Sequence, residues 1–570
     1  MKKILALVLV IMLALSLFSA CKKDDTGTTP GTSSNGGGDN TSKPAAEKIL
    51  VMGISSVDGV FNPILTDQVY DDYVCSAVFS ALVENDPEGE FIPGLATWKI
   101  SDDHLTYTFT LKDGVCFSDG TPLTAEDVEF TYATIADPKY DGPRSYAVDL
   151  LVGYEDYHSG AADKFEGIKV IDSKTISFTF VEEVDGEPVA SPANIESFIY
   201  GIMSKDYYAF DSWEDFKALN EVPMGSGICV FDGWALNDYV RLSKNENYWD
   251  KDNALKIDGV LLTNVPEESM IGALQTGDID FGQLTATQDN WDAVSALSNV
   301  TPIKYMGNGY TFLCFNTTLP KLSDVRVRKA LMYALDRKSF IAAYYGPDLA
   351  QPGLAPISPS SWAFPDMSEL EDYAFDLDKA AALMDEAGWK LGTDGYRYKN
   401  GEKFTVSWLV YEDSPWPGVL SSMAYDTWKQ LGVDLIIEKM DFNSVAERTM
   451  DMEPGEKDFE IYTMGFSLSI DPDPKGALFD ADAYVAGGFN ASGFRDEQSQ
   501  KLMMQGRAEF DTEKRAVIYK EWAALQNDLI PTVIIAYRNE IWGVNNRVKN
   551  LNISTYYNWV ANLKNVTIDD

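Results

Sequence analysis

The sequence predicts an α/β protein built on several mixed sheets, and three observations carry that prediction. Apolar and polar residues alternate over short runs, as half-buried strands require. Such runs give way to stretches of helical periodicity that open on capping residues. No period of roughly 20–50 residues recurs that would mark a repeat array. At 570 residues, with 45% hydrophobic and 12% aromatic side chains, the chain is long enough for two or three domains with sizeable cores.

The N-terminus comes first. Lys2 and Lys3 precede an apolar core at 4–18, which ends on Ser19 and Ala20. That core is too short to span a bilayer, and residues 1–20 have the layout of a signal peptide. Phe18-Ser19-Ala20-Cys21 resembles the bacterial lipobox, in which the cysteine receives lipid and becomes the mature N-terminus. A diacylglyceryl group would supply the second chain that stable anchoring needs. Residues 22–48 are rich in Thr, Gly, Ser and Asp and cannot bury enough apolar surface to fold. Residues 21–48 therefore read as a lipid-anchored flexible linker. No later run approaches ~20 apolar residues, so a second crossing is not expected. The expected location is the outer face of the cell membrane, on the periplasmic side where an outer membrane exists.

The ordered body opens on "ILVMGISS" at 49–56, a strand. In "HLTYTFTLKDGV", Leu105, Tyr107, Phe109 and Leu111 share one face and Thr106, Thr108, Thr110 and Lys112 the other, which predicts a half-buried strand. His104, just before it, reads as a turn residue. Thr124 is placed to cap a helix with Glu126 and Asp127 in its first turn. Ser323 is read as the cap of a helix carrying Val327, Ala330, Leu331 and Ala334 on one side. Asp336 starts another, ending at Gly346, and Gly388 stops the helix in "DLDKAAALMDEAGW". Arg326 and Arg328 are expected to pair with acidic neighbours on a surface.

Several chemistries are disfavoured. A net charge of −42 repels phosphate backbones, which excludes nucleic acid as a partner. With two histidines, His104 and His158, no Cys/His zinc spacing or HExxH arises, and nucleotide-binding glycine motifs are absent. Asp471, Asp473, Gly476 and Asp482 faintly resemble a calcium loop, but Lys475 occupies a ligand position and prolines stiffen the turn. No metal, cofactor or catalytic residue is therefore expected. A carboxylate pair for hydrolysis is the remaining enzymatic reading, and nothing among 88 acidic residues singles out two. Cys75, Cys116, Cys229 and Cys314 sit among apolar neighbours and read as buried thiols.

Blocks of the mature chain carry a resemblance. "FIPGLATWKISDDHLTYTFTLKDGVCFSDGTPLTAEDVEFTY" (91–132) and "GNGYTFLCFNTTLPKLSDVRVRKALMYALDRKSFIAAYYG" (307–346) are similar to blocks of the extracellular solute-binding proteins of family 5, the peptide- and nickel-type receptors of ABC importers. Segments at 225–249, 376–389, 464–474 and the closing "AEFDTEKRAVIYKEWAALQNDLIPTVIIAYR" follow in the family's order. The resemblance implies a two-lobed fold of the periplasmic-binding-protein type II kind, with mixed sheets, a hinge cleft and an extra subdomain in lobe one. Residues 49–304 form lobe one in that reading, with approximately 83–224 inserted as the subdomain. Residues 305–529 form lobe two, and 530–570 return to lobe one.

The implied function is capture of oligopeptides or dipeptides in the cleft by a monomer, for delivery to an ABC permease and ATPase. An oligosaccharide receptor is the alternative. Ligand contacts are expected from Asp58, Phe61, Asn62, Tyr310, Phe312, Asn316, Trp408, Tyr411, Trp416, Phe466, Ser467, Asp471, Asp473, Tyr556 and Tyr557, with aromatics stacking and polar groups hydrogen-bonding. One departure matters. Peptide-binding relatives hold the ligand's α-amine with an Asp in a W-x-x-D-type segment before the "DP", where this chain reads Gly465-Phe466-Ser467-Leu468-Ser469-Ile470. Unless Asp471 or Asp473 fills that role, free-amine recognition needs another residue. Nickel receptors use histidine near the site, and neither histidine here lies in a matching segment.

Overall fold

The computed structural model describes residues 47–569; the signal segment, Cys21 and the linker to residue 46 lie outside them. Among the described residues twelve strands join in one mixed sheet. In chain order they are β1 (Ile49–Ile54), β2 (Cys229–Ala235), β3 (Tyr239–Lys244), β4 (Gly259–Asn264), β5 (Phe281–Leu284), β6 (Val300–Met306), β7 (Gly309–Phe315), β8 (Ala350–Pro352), β9 (Thr405–Tyr411), β10 (Asp434–Met440), β11 (Ile461–Ser467) and β12 (Thr532–Asn545). Their order is β2-β3-β4-β1-β5-β12-β7-β11-β9-β10, with β6 and β8 also paired to β12. β1 runs parallel to β4 and β5, β9 runs parallel to β10 and β11, and β12 is antiparallel to each of its neighbours.

β12 explains how one sheet serves two lobes. Its residues Thr532–Tyr537 and Ile541–Val544 are buried, while Arg538, Asn539 and Glu540 between them are not. Trp542 and Val544 belong to a core with Leu50, Met52, Leu262, Phe281 and Trp559. Ile534 and Tyr537 belong to a second core with Phe312, Leu331, Trp408, Trp428 and Trp522. β6 and β7 follow the same path beside it: Met306 faces Asn539, Thr311 faces Ala536, and Gly307 N–H donates to Arg538 O at 2.9 Å. The two lobes are thus joined by two adjacent strand crossings, at 306–309 and 537–540.

The half-buried strand forms as Thr106–Leu111, with Tyr107 and Phe109 fully buried, inside an antiparallel sheet ordered Ala96–Ile100, Thr106–Leu111, Thr175–Thr179, Ile168–Asp172. Thr124 precedes the helix Ala125–Ile135, and Asp127 Oδ2 accepts from Thr124 N–H at 2.8 Å, closing a capping box. His104 occupies a left-handed turn at φ 60°. Its ring also stacks on Phe510, centroids 3.8 Å apart, a contact some four hundred residues along the chain that its turn position does not announce.

Three expectations are corrected. The cap of the helix Val325–Tyr333 is Asp324, whose carboxylate accepts from Arg326 N–H, because Ser323 ends the preceding turn Pro320–Ser323. Arg326 pairs with Asp324 as expected, but Arg328 has no such acid. Arg328 is 4% exposed and donates to the carbonyls of Leu322, Ser323, Leu529 and Ile530 at 2.6–3.1 Å. It closes two helix ends whose terminal carbonyls lack intrahelical partners, and burial lowers its guanidinium to about 10. Cys75, Cys229 and Cys314 are buried free thiols, whereas Cys116 is only half-buried and donates to Asn247 O at 3.1 Å.

Candidate ligand-binding site

A cavity of about 490 Å³ opens where the two crossings pass between the lobes. Its volume falls in the range of small-molecule sites, roughly 300–1,000 Å³. One wall is the paired start of β7 and end of β11, where Gly309, Tyr310 and Thr311 face Ser467, Phe466 and Gly465. Tyr411 closes β9, and Ser414 and Trp416 begin the next helix, Pro415–Leu431. Tyr344 and Tyr345 come from the end of the helix Arg337–Tyr344. The lining is completed by Thr285 and Ala286 after β5, Tyr305 on β6, Gly307 and Asn308 at the crossing, Arg538 and Glu540 on β12, and Thr555. Placement at the C-terminal ends of β9 and β11 follows the rule for open α/β sheets, where strand ends leave loops free to contact a ligand.

The lining is aromatic and uncharged except at one place. Tyr310 and Phe466 stack with centroids 5.9 Å apart, and Trp416 Nε1 donates to the Tyr411 hydroxyl at 2.9 Å. Burial raises the phenols of Tyr310, Tyr345 and Tyr411, so each keeps its O–H as a donor at neutral pH. The Tyr305 phenol is pushed up to about 12 by burial, with the Glu540 charge adding to the rise. Among the described residues lining the cavity, only Arg538 and Glu540 are charged. They meet through one contact, Nη2 to Oε1 at 3.4 Å, and Glu540 Oε2 accepts from Gln283 Nε2 at 2.8 Å. Arg538 keeps half its side chain exposed and Glu540 about a fifth.

Of the residues expected to touch ligand, Tyr310, Tyr411, Trp416, Phe466 and Ser467 line this cavity. The others lie elsewhere, each with an identifiable engagement. Asp58 is exposed, and its N–H donates to the buried Asp71. Phe61 packs against Phe231 and Trp234, and Asn62 is fully buried, bonded to Asn220. Phe312 meets Tyr462 edge-on, Trp408 stacks on Trp428, and Asn316 donates to Phe459 O at 3.0 Å. Tyr556 covers Gly89, and Tyr557 donates to Ala561 O at 2.8 Å.

The acidic run after β11 is neutralised by the protein's own cations. Asp471 takes a two-pronged contact from Arg515 at 2.5 and 2.8 Å, and Asp473 pairs with Arg507 at 3.0 Å. Lys475 reaches Asp480, Asp482 and Glu187. With these carboxylates engaged, no group of metal-ligating side chains is assembled among the described residues. The cavity residues that sequence reasoning missed are chiefly Tyr305, Tyr344, Tyr345, Arg538 and Glu540. The "YRNE" interruption of an otherwise apolar strand was the signal for the last two.

Comparison with known proteins places this architecture. Residues 90–483 match the sequence model of the bacterial extracellular solute-binding proteins, family 5. The oligopeptide-binding protein OppA of Bacillus subtilis is 26% identical, with 95% of each chain covered. The oligopeptide-binding protein AppA of the same organism is 24% identical over 91% of each chain. AppA's solved structure, in complex with a nonapeptide, superposes with a TM-score of 0.72 at 22% identity, covering 92% of this chain and all of that one. Among the described residues no helix is long and apolar enough to cross a membrane.

Proposed function

The chain belongs to the bacterial extracellular solute-binding proteins, family 5, and on that footing we propose that it captures short peptides between its lobes and hands them to an ABC permease. The observation that carries this reading is the hinge cavity itself. It is aromatic, it has phenolic donors, and it lies where closure of two lobes would remove a solute from water. The oligopeptide-binding names of the relatives support the peptide class.

The path of β6–β7 and β12 through both cores supports two lobes near the expected bounds of 49–304 and 305–529, with the return to lobe one at 537–540 and not at 530. Export by the segment 1–20 and a lipid anchor at Cys21 would keep a monomer of this kind beside its permease. The protein does no chemistry in this reading. Glu540 is the one carboxylate of the lining, and glycoside hydrolysis takes two, about 5–9.5 Å apart.

The aromatic walls also suit sugar faces, which keeps oligosaccharides as the second reading. Protein purified without denaturant from its own cells and then unfolded should release its ligand for mass spectrometry. Peptides are the expected result. A series of oligosaccharides would overturn the peptide reading.

A further inference from the structure

We propose that Glu540 and Arg538, neighbours on the hinge strand, form a paired anchor for the two ends of a zwitterionic ligand: Glu540 takes the α-ammonium and Arg538 the α-carboxylate. This rests on the peptide reading and names the residues that make the site selective within it.

The first support is elimination on geometry. Asp471 and Asp473 are the acids nearest the end of β11, and both are spoken for, by the buried Arg515 and the mostly buried Arg507. Asp471 has both oxygens on Arg515, and Asp473 has one oxygen on Arg507 and the other on Lys475 N–H. A ligand amine would have to displace a guanidinium at either position. Ser469, in the segment ahead of them, carries no charge.

The second support is the lining. One cation and one anion in an otherwise neutral, aromatic wall make a site that is itself zwitterionic. Residues two apart on a strand point to the same face, so both head groups are offered together. Their mutual contact is single and long at 3.4 Å, and among the described residues no side chain besides Arg538 and Gln283 bonds Glu540. Acceptor and donor capacity is left over on both, since a carboxylate offers about four acceptor sites and a guanidinium five N–H donors. A ligand with separated charges can insert between them, exchanging one poor ion pair for two charge-assisted ones.

The third support is space. Gly307 lies against Glu540, where a Cβ would stand 3.0 Å from Oε1. A glycine at that crossing leaves the carboxylate's approach clear.

Calorimetric titration with trialanine, N-acetyl-trialanine and trialanine amide tests the assignment on ligand-stripped protein. Wild type should prefer free trialanine to either blocked form by roughly tenfold to a hundredfold, the loss of one charge-assisted contact. Glu540→Gln should lose the penalty for acetylation but keep the penalty for amidation, and Arg538→Gln should do the reverse. Wild-type protein that binds all three forms equally overturns the anchor, with no dependence on how the variants fold. Normal discrimination in Glu540→Gln does the same. Wild-type protein that binds none of the three overturns the peptide reading and the anchor with it.

Discussion

Raising the pH from 6 to 8 should weaken ligand binding by about tenfold or more, and Glu196→Gln should remove most of that dependence. Glu196 lies on the turn segment Pro192–Phe198, in the stretch read as lobe one, and its carboxyl accepts from the N–H of Asp471, in the stretch read as lobe two, at 2.8 Å. Burial at this contact, with the Asp471 and Asp473 charges adding to it, raises the carboxyl to about 8. The groups facing it are the Asp471–Arg515 and Asp473–Arg507 pairs. Asp149, near Arg507, is itself raised to about 6 by burial.

If the lobes part, Glu196 regains water and its affinity for a proton falls towards the ordinary value near ~4.3. Closing therefore takes up a proton between those two limits. For an acid whose pKa is raised in the closed state, closure is favoured at low pH and loses that support as pH rises through 8. The residue stays partly exposed, so the full span is not expected. Trialanine's own amine titrates near pH ~8, but equally for wild type and Glu196→Gln, so the difference between the two isolates the protein. A wild-type profile no steeper than that of Glu196→Gln would contradict the latch.

Arg515→Ala should cost about 3–5 kcal/mol of unfolding free energy, because it strands a buried carboxylate. Arg515 is 3% exposed. It donates through Nη1 and Nη2 to Asp471, through Nε to Gly506 O at 2.9 Å, and lies beside the Tyr519 hydroxyl at 3.3 Å. The Asp471 charge holds the guanidinium firmly protonated against the burial that opposes it. Removing both charges is a different matter, since well-packed apolar replacements of a buried pair are often neutral. Arg515→Met with Asp471→Leu should recover most of the loss. Chemical denaturation reads both. A single variant within about 1 kcal/mol of wild type, the range of an exposed pair, would show that the ion pair is not the buried, committed contact described here.

The fold was legible because its signals are local. The alternation in 105–111, the Thr124 cap and Gly388 each write an element directly into neighbouring residues, and the family's blocks fixed their order. The site was only partly legible because it is assembled from positions far apart in the chain. Tyr310, Tyr411, Trp416, Phe466 and Ser467 were reachable from strand ends. Tyr344 and Tyr345 look like the end of any amphipathic helix. Asp471 and Asp473 looked like ligand-seeking acids, and their neutralisation depends on Arg507 and Arg515, more than thirty residues further on. Arg328 shows the same limit. Its charge promised a surface pair, and only the packing of two helix ends reveals four carbonyls waiting for it.

The most direct test of solute capture at the hinge is to fill the cavity without disturbing the lobes. Gly465 lies on β11 in the cavity wall, and a Cβ there would meet only Tyr310 O, at 4.0 Å. Gly465→Leu should fold with an unchanged melting temperature and bind trialanine at least a hundredfold more weakly by calorimetry, since the side chain occupies the ligand's volume. A folded Gly465→Leu protein with wild-type affinity would place the ligand elsewhere and contradict the account.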